Sequence, residues 1–302
     1  MSHSFLKESK LYIVYGGNKY RIYTNTAINF SQTFAEDSYP VKTLHDQSKM
    51  FEGSTITKAN PAQFSFTVPL TVEKDESIVL NLANDLVTTV DSGITTQQLK
   101  SFDMYVKTGS STFKVENCIV ASASFAFNPR EQFKVELEGQ GTKLTRVGDE
   151  NYNLGTIQSE SATRTPLLVY PVPVIDSLNM TSIISSTVQI QNTINWNEFQ
   201  DLQTSVAGTM QYPSAYTIGT RVVSGAIKQY QTDNTITQFD DFSTASNVTI
   251  KGVQVGKAAS DSGFIAVTIN PAMFTARMQV SEIYTQSYDY RSLDQTPTIA
   301  YV

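Results

Sequence analysis

Cysteine and histidine are nearly missing from this 302-residue chain, and so are long apolar runs and clusters of positive charge. Cys118 is the sole cysteine, so no internal disulfide framework exists. It lies in an apolar, strand-like run and reads as a small buried side chain. His3 and His45 are the only histidines. Neither has a Cys, His or carboxylate at a metal-ligand spacing; both read as solvated, and no metal or other cofactor is expected. A serine-type triad needs a histidine held by an acid beside a nucleophile, and His45 has no G-x-S-x-G elbow to serve. No G-x-x-x-x-G-K-[ST] phosphate loop occurs, and Gly139-Gln140-Gly141 lacks the third glycine of a dinucleotide fingerprint. Asp240-Asp241 and Glu36-Asp37 are sequence neighbours that point apart in extended chain, so their adjacency is no sign of a glycosidase pair, and they read as solvated surface acids. An enzyme is not expected.

Charge is also scarce. Charged residues make up 17 % of the chain, against roughly 25 % in ordinary soluble domains. Residues 1–150 hold 15 Lys/Arg against 17 Asp/Glu, and residues 151–302 hold 7 against 11, giving −6 overall. An acidic chain without a basic stripe is a poor candidate for gripping nucleic acid. No segment approaches 18 apolar residues, and the N-terminal stretch has no apolar core of signal-peptide length. Neither membrane insertion nor export is expected, which places the chain in a cytoplasm or in a particle assembled there. A polar but weakly charged surface suits extensive protein–protein contact.

What is present is β patterning. The length suggests two domains, 1–150 and 151–302, each able to bury a core. Residues 11–15 and 20–23 flank Gly16-Gly17-Asn18 and read as a hairpin. Phe64, Phe66, Val68, Leu70 and Val72 alternate with Ser65, Thr67, Pro69 and Thr71, a strand with one greasy and one small polar face. Pro69 places it at an edge or a bulge. A helix is expected over 73–89, with Glu73, Asp75 and Glu76 in its first turn and an Ile78, Leu82, Leu86 stripe, ended by Asp91-Ser92-Gly93. Residues 35–62 show no sustained period and read as a long functional loop, as do residues 201–220. A polar linker is expected over 148–165. In the second half, residues 167–174 and 187–194 read as strands, 221–230 matches 64–72, and Ile236, Phe239 and Phe242 offer a short helix stripe. A tyrosine-bearing tail runs from 282 to 302.

Residues 101–138 and 243–280 read as one run of elements written twice, about 142 positions apart, each containing an Asn-Pro step (Asn128-Pro129 and Asn270-Pro271). Such an echo implies duplication, and duplication points to a ring, fibre or stack. The fold class is mainly β, as two tandem similar domains.

The strand 64–72, the helix expected after it, and the segment 102–137 with its run Ser122-Ala-Ser-Phe-Ala-Phe-Asn-Pro together resemble the tail tube proteins of long-tailed bacteriophages. That family is similar to the tube proteins of contractile injection machines. The resemblance implies a β-sandwich or split barrel with a flanking helix per domain, whose inner sheets join between subunits around a channel. Many relatives carry one such domain, so two per chain imply stacked trimeric rings with six pseudo-equivalent positions. Ser65, Thr67 and Thr71 would face the channel, whose weakly acidic, hydroxyl-rich wall would let DNA slide during ejection. Asp37, Tyr39, His45, Met50, Phe51, Gln211 and Tyr212 would reach a neighbouring subunit or the next ring. Sheath, tape-measure, baseplate and tail terminator proteins are the implied partners, in a virion assembled in the host cytoplasm. Two alternatives stand beside this reading. One is a related single-ring protein (tube initiator, terminator or baseplate hub). The other is a carbohydrate-binding or adhesin β-sandwich using tyrosines of 284–290.

Overall fold

The computed structural model describes residues 9–39, 53–109, 111–128, 131–148, 156–176, 178–197, 211–232, 245–258, 264–280, 282–293 and 297–301. It is mainly β, with one helix among the described residues. The first half runs β1 (Lys10–Tyr15), β2 (Asn18–Ile22), β3 (Asn29–Ser31), β4 (Phe34–Tyr39), β5 (Gly53–Ala59), β6 (Ala62–Pro69), α1 (Ser77–Asn84), β7 (Leu86–Asp91), β8 (Ile94–Leu99), β9 (Phe102–Lys107), β10 (Thr112–Phe127), β11 (Lys134–Gly141) and β12 (Lys143–Val147). The second runs β13 (Thr156–Ile157), β14 (Val169–Ile175), β15 (Leu178–Asn179), β16 (Ile183–Asn197), β17 (Ala215–Tyr230), β18 (Ser246–Gln254), β19 (Ile265–Gln279), β20 (Thr285–Ser292) and β21 (Thr298–Tyr301).

The long strand β10 organises the first half. Its early residues pair with β9 and β12, and its later residues with β11. From β9 the first ladder continues through β1 to β2; from β11 the second continues through β6 to β3. The two layers face each other across a core in which the Phe64 and Phe102 rings meet edge-on at 5.9 Å. The second half repeats this scheme pairing for pairing. Here β19 is the long strand, meeting β18 and β21 early and β20 late. From β18 the ladder passes through β14 to β15, and from β20 through β17 to β16. One further antiparallel ladder joins the halves: β10, from Ser122 to Phe127, pairs with β16, from Gln191 to Ser186. Among the described residues these ladders branch but never return on themselves, so no barrel closes.

Local chemistry accounts for the elements. The β1–β2 turn uses Gly16 and Gly17 at φ 58° and 78°, the left-handed region that glycine enters without strain. Pro69 ends β6 opposite Lys134, beyond the stretch where β3 occupies the other edge, so its missing N–H costs no ladder bond. Cys118 is fully buried.

Several sequence-based expectations change. The helix is confined to Ser77–Asn84. Glu73, Asp75 and Glu76 lie before it, because Lys74 sits at φ 66° and the three carboxylates are engaged elsewhere. Residues 86–90, rich in β-branched side chains, form β7. The stretch 35–62 is no unpatterned loop, since β4 and β5 pair within it. Ala215–Thr220 likewise belongs to β17. The 282–302 tail supplies β20 and β21. The two Asn-Pro steps are not equivalent: Asn128 follows β10, whereas Asn270-Pro271 lies inside β19. The helix stripe at 236–242 falls outside the described residues.

Candidate assembly surface

Through the β10–β16 ladder the second layers of both halves fuse into one sheet, in the order β3, β6, β11, β10, β16, β17, β20, β19. Side chains alternate across it. Phe64, Phe66, Val135, Leu137, Val188, Ile190, Tyr288 and Tyr290 face the core and are buried. The opposite face carries Ser65 and Thr67 on β6, Glu136 and Glu138 on β11, and Ser122 and Ser124 on β10. It continues with Gln189 and Gln191 on β16, Ser224 on β17, and Asp289 and Arg291 on β20. Hydroxyls and amides dominate, and Lys134, Lys228, Arg277 and Arg291 offset Glu136, Glu138 and Asp289. The chain is acidic as a whole, yet this face is close to neutral. Arg277 pairs with Asp289 at 3.3 Å within it.

Of the residues expected to face a channel, Ser65 and Thr67 share this polar face. Thr71 does not. It is 4 % exposed, and its hydroxyl donates to the Glu76 carboxylate at 2.8 Å, which also accepts its backbone N–H. The alternation lapses because β6 ends at Pro69 and Thr71 bridges to Pro166.

Of the residues expected to reach neighbours, Asp37 and Tyr39 lie on β4, opposite Thr55 and Gly53. His45, Met50 and Phe51 fall outside the described residues. Gln211 bridges to Lys58, its carbonyl accepting the Ala59 N–H at 2.8 Å. Tyr212 lies under the Lys143 ammonium, 4.6 Å from the ring centre. The structure therefore brings Gln211 to the end of β5, beside the β4–β5 pair. A second hairpin, β7–β8, exposes Val90 (67 %) and Ile94 (68 %). A two-stranded ribbon buries too little surface to stand alone, so such arms suit docking. Tyr288 and Tyr290 are core residues, the latter donating to the Thr187 carbonyl at 2.7 Å, so Tyr284 alone of the three tyrosines at 284–290 is exposed.

Sequence reading missed the device that fixes the linker. β13 pairs in parallel with β2. Downstream, Arg164 forms an ion pair with the buried Glu76 and stacks its guanidinium 3.7 Å above the Tyr23 ring. The Glu73 carboxylate accepts the Thr165 hydroxyl and N–H, at 2.7 and 2.8 Å. These bonds hold the Glu73 carboxyl below its usual pKa. Arg221 of β17 adds a second tie: its guanidinium donates to the Asn84 carbonyl at the end of α1 (2.6 Å). Burial brings it down to about 10. The acids at 73–76 were visible in sequence as a charge run; nothing there marked Arg164 as their partner, 88 positions away.

Among the described residues no group of three or more His, Cys, Asp or Glu could hold a metal ion, and no helix is long and apolar enough to cross a membrane. The arrangement offers extended sheet, open edges and projecting hairpins, the means of building a wall. No curated protein matches the sequence. Residues 1–301 match the model of the bacteriophage baseplate tube protein family, and the chain belongs to that family, as a structural component of the phage tail or baseplate.

Proposed function

We propose that copies of this chain close into rings around a channel and that the rings stack into the tube through which phage DNA passes. The observation that carries this reading is the polar sheet running through both halves with an open edge at each end. A lone molecule leaves those edges unpaired, which invites aggregation unless neighbours complete them. The repeated pairing scheme supports two tandem tube-like domains, and hence trimeric rings with six similar positions. The polar face would line the channel. Its near neutrality fits passive passage, because a basic wall would hold a polyanion and a strongly acidic one would repel it. The chain has a structural role in this reading and carries out no catalysis. Sheath, tape-measure and terminator proteins are further partners of such a tube.

A second reading is a single ring at the baseplate, favoured by the family's description as a baseplate tube. Negative-stain microscopy of the purified full-length chain separates the two. Long hollow tubes establish stacking, discrete rings establish the baseplate ring, and a monomer at high concentration defeats both.

A further inference from the structure

The two long bent strands end differently. The late part of β10 is paired on both edges, with β11 on one side and β16 on the other. The late part of β19 has β20 on one side, and across Thr275–Gln279 no strand lies on the other among the described residues. The apolar side chains there are uncovered as well. Met278 is 42 % and Val280 67 % exposed, whereas Phe125 and Phe127 on β10 are sealed.

The missing partner has a counterpart at the far end of the same sheet. β3 stands to β6 as β16 stands to β17, at the outer edge. β16 is 15 residues long and β3 only 3, with residues 25–28 outside any strand. Aligned through the matching ladders, 26-Thr-Ala-Ile-Asn-Phe-Ser-31 corresponds to 186-Ser-Thr-Val-Gln-Ile-Gln-191. Ile28 and Phe30 fall where Val188 and Ile190 face the core, and Asn29 where Gln189 faces out. The segment has the alternation of a seam strand but no seam to join.

We propose that the outer edge of β19 in one copy takes up residues 26–31 of a second copy as an antiparallel strand. The contact repeats between molecules the ladder that β10 and β16 form within one. This inference rests on the ring reading above and names the surfaces that make the ring. The two edges lie at opposite ends of the sheet, so one molecule cannot satisfy both and the contact propagates head to tail until rotation closes it. Setting the row Ser122, Glu138, Ser65, Asn29 against the row Met273, Arg291, Ser224, Gln189, and taking the β10–β16 register as template, puts Asn29 opposite Thr275 and Ala27 opposite Arg277. The added strand would also cover the bare apolar end of β19 with Ile28.

Disulfide trapping tests the register. Opposed residues of antiparallel strands have Cα atoms about 4.5–5.5 Å apart, within disulfide range, and the native Cys118 is buried and silent. Full-length chain carrying Asn29→Cys and Thr275→Cys, both exposed positions, should on mild oxidation give a reductant-sensitive ladder of covalent multimers larger than dimers. Each single variant should give dimers at most, and Asn29→Cys with Gln279→Cys, four residues out of register, no ladder. Ala27→Cys with Arg277→Cys reads the same register should the first pair misfold. Rings by microscopy with no ladder from either matched pair overturn the seam and leave the ring reading intact. An equal ladder from the mismatched pair overturns the register. A wild-type chain that stays monomeric at high concentration removes the ring reading, and the seam with it.

Discussion

The two halves share a pairing scheme but are filled in contrasting ways. In the first, phenylalanines dominate: Phe64, Phe66, Phe102, Phe125, Phe127 and Phe133 are all buried, with Phe127 and Phe133 rings 4.7 Å apart. In the second, Gln229, Gln286 and Tyr288 occupy fully buried positions and bond to one another. The Gln229 amide donates to Gln286 at 2.7 Å and to the Tyr288 oxygen at 3.2 Å. The Gln229 carbonyl and the Gln286 amide nitrogen have no partner among the described residues. Burial pushes the Tyr288 hydroxyl up to about 12. Strand order is therefore set by backbone and alternation, which tolerate either filling, whereas the filling decides stability. An amide buried with one end unmatched costs about 1–3 kcal/mol. The first half should be the stable anchor and the second the softer partner.

The sharpest way to break this contrast is Phe125→Ala. Removing a fully buried ring should cost about 3–5 kcal/mol, read as a lower denaturant midpoint; a loss under about 1 kcal/mol would show that the first half is not the anchor. Next come two glycines that admit an aromatic ring. A Cβ on Gly139 would meet the Phe64 ring and the Ile119 carbonyl oxygen; one on Gly225 would meet the Thr187 carbonyl oxygen first and then the Tyr290 hydroxyl, itself tied to Thr187. Gly139→Ala and Gly225→Ala should each destabilise by about 1–3 kcal/mol, Gly225→Ala the more, because its ring cannot swing away. The reverse order would mean that Tyr290 yields more easily than Phe64. Replacing Gln229, Gln286 and Tyr288 together by Leu, Leu and Phe removes donors and acceptors alike. It should leave stability unchanged or raise it by about 1 kcal/mol, and a large loss would show that the polar network holds the second half.

The smallest effect concerns the strap between the halves. The Glu73 carboxyl is held below its ordinary value first by the Thr165 hydroxyl, then by the Thr165 N–H. A lowered folded-state pKa contributes stability above the unfolded-state value, and that contribution is lost as pH falls through the lowered one. Hydrogen-exchange protection at 160–165, taken relative to the intrinsic amide rate at each pH, should therefore fall modestly on acidification across the carboxylate range, and less so in Thr165→Val. An unchanged response in that variant would dismiss Glu73 as the sensor.

Much of the architecture was legible where alternation is strict. Residues 64–69 fell in β6 because apolar and small side chains trade places without error, and the Gly16-Gly17 turn was readable from its chemistry. The helix expectation overran because three acids at 73–76 look like a dipole-favouring first turn until their remote partners are known. The 35–62 hairpin was hidden because neither arm has an apolar face of its own to bury. The edges proposed to pair between copies were harder still. Residues 26–31 and 275–279 carry the right alternation, but that pattern marks a strand without saying that its neighbour is absent. The tie between Arg164 and Glu76 left no local trace at all.

The hydrogen-bonded joint between Ser122–Phe127 and Ser186–Gln191 has a consequence for any truncated version of this polypeptide. Severed from its sibling, either half would carry a raw flank of unsatisfied amides along a greasy margin, and would seek a twin or precipitate.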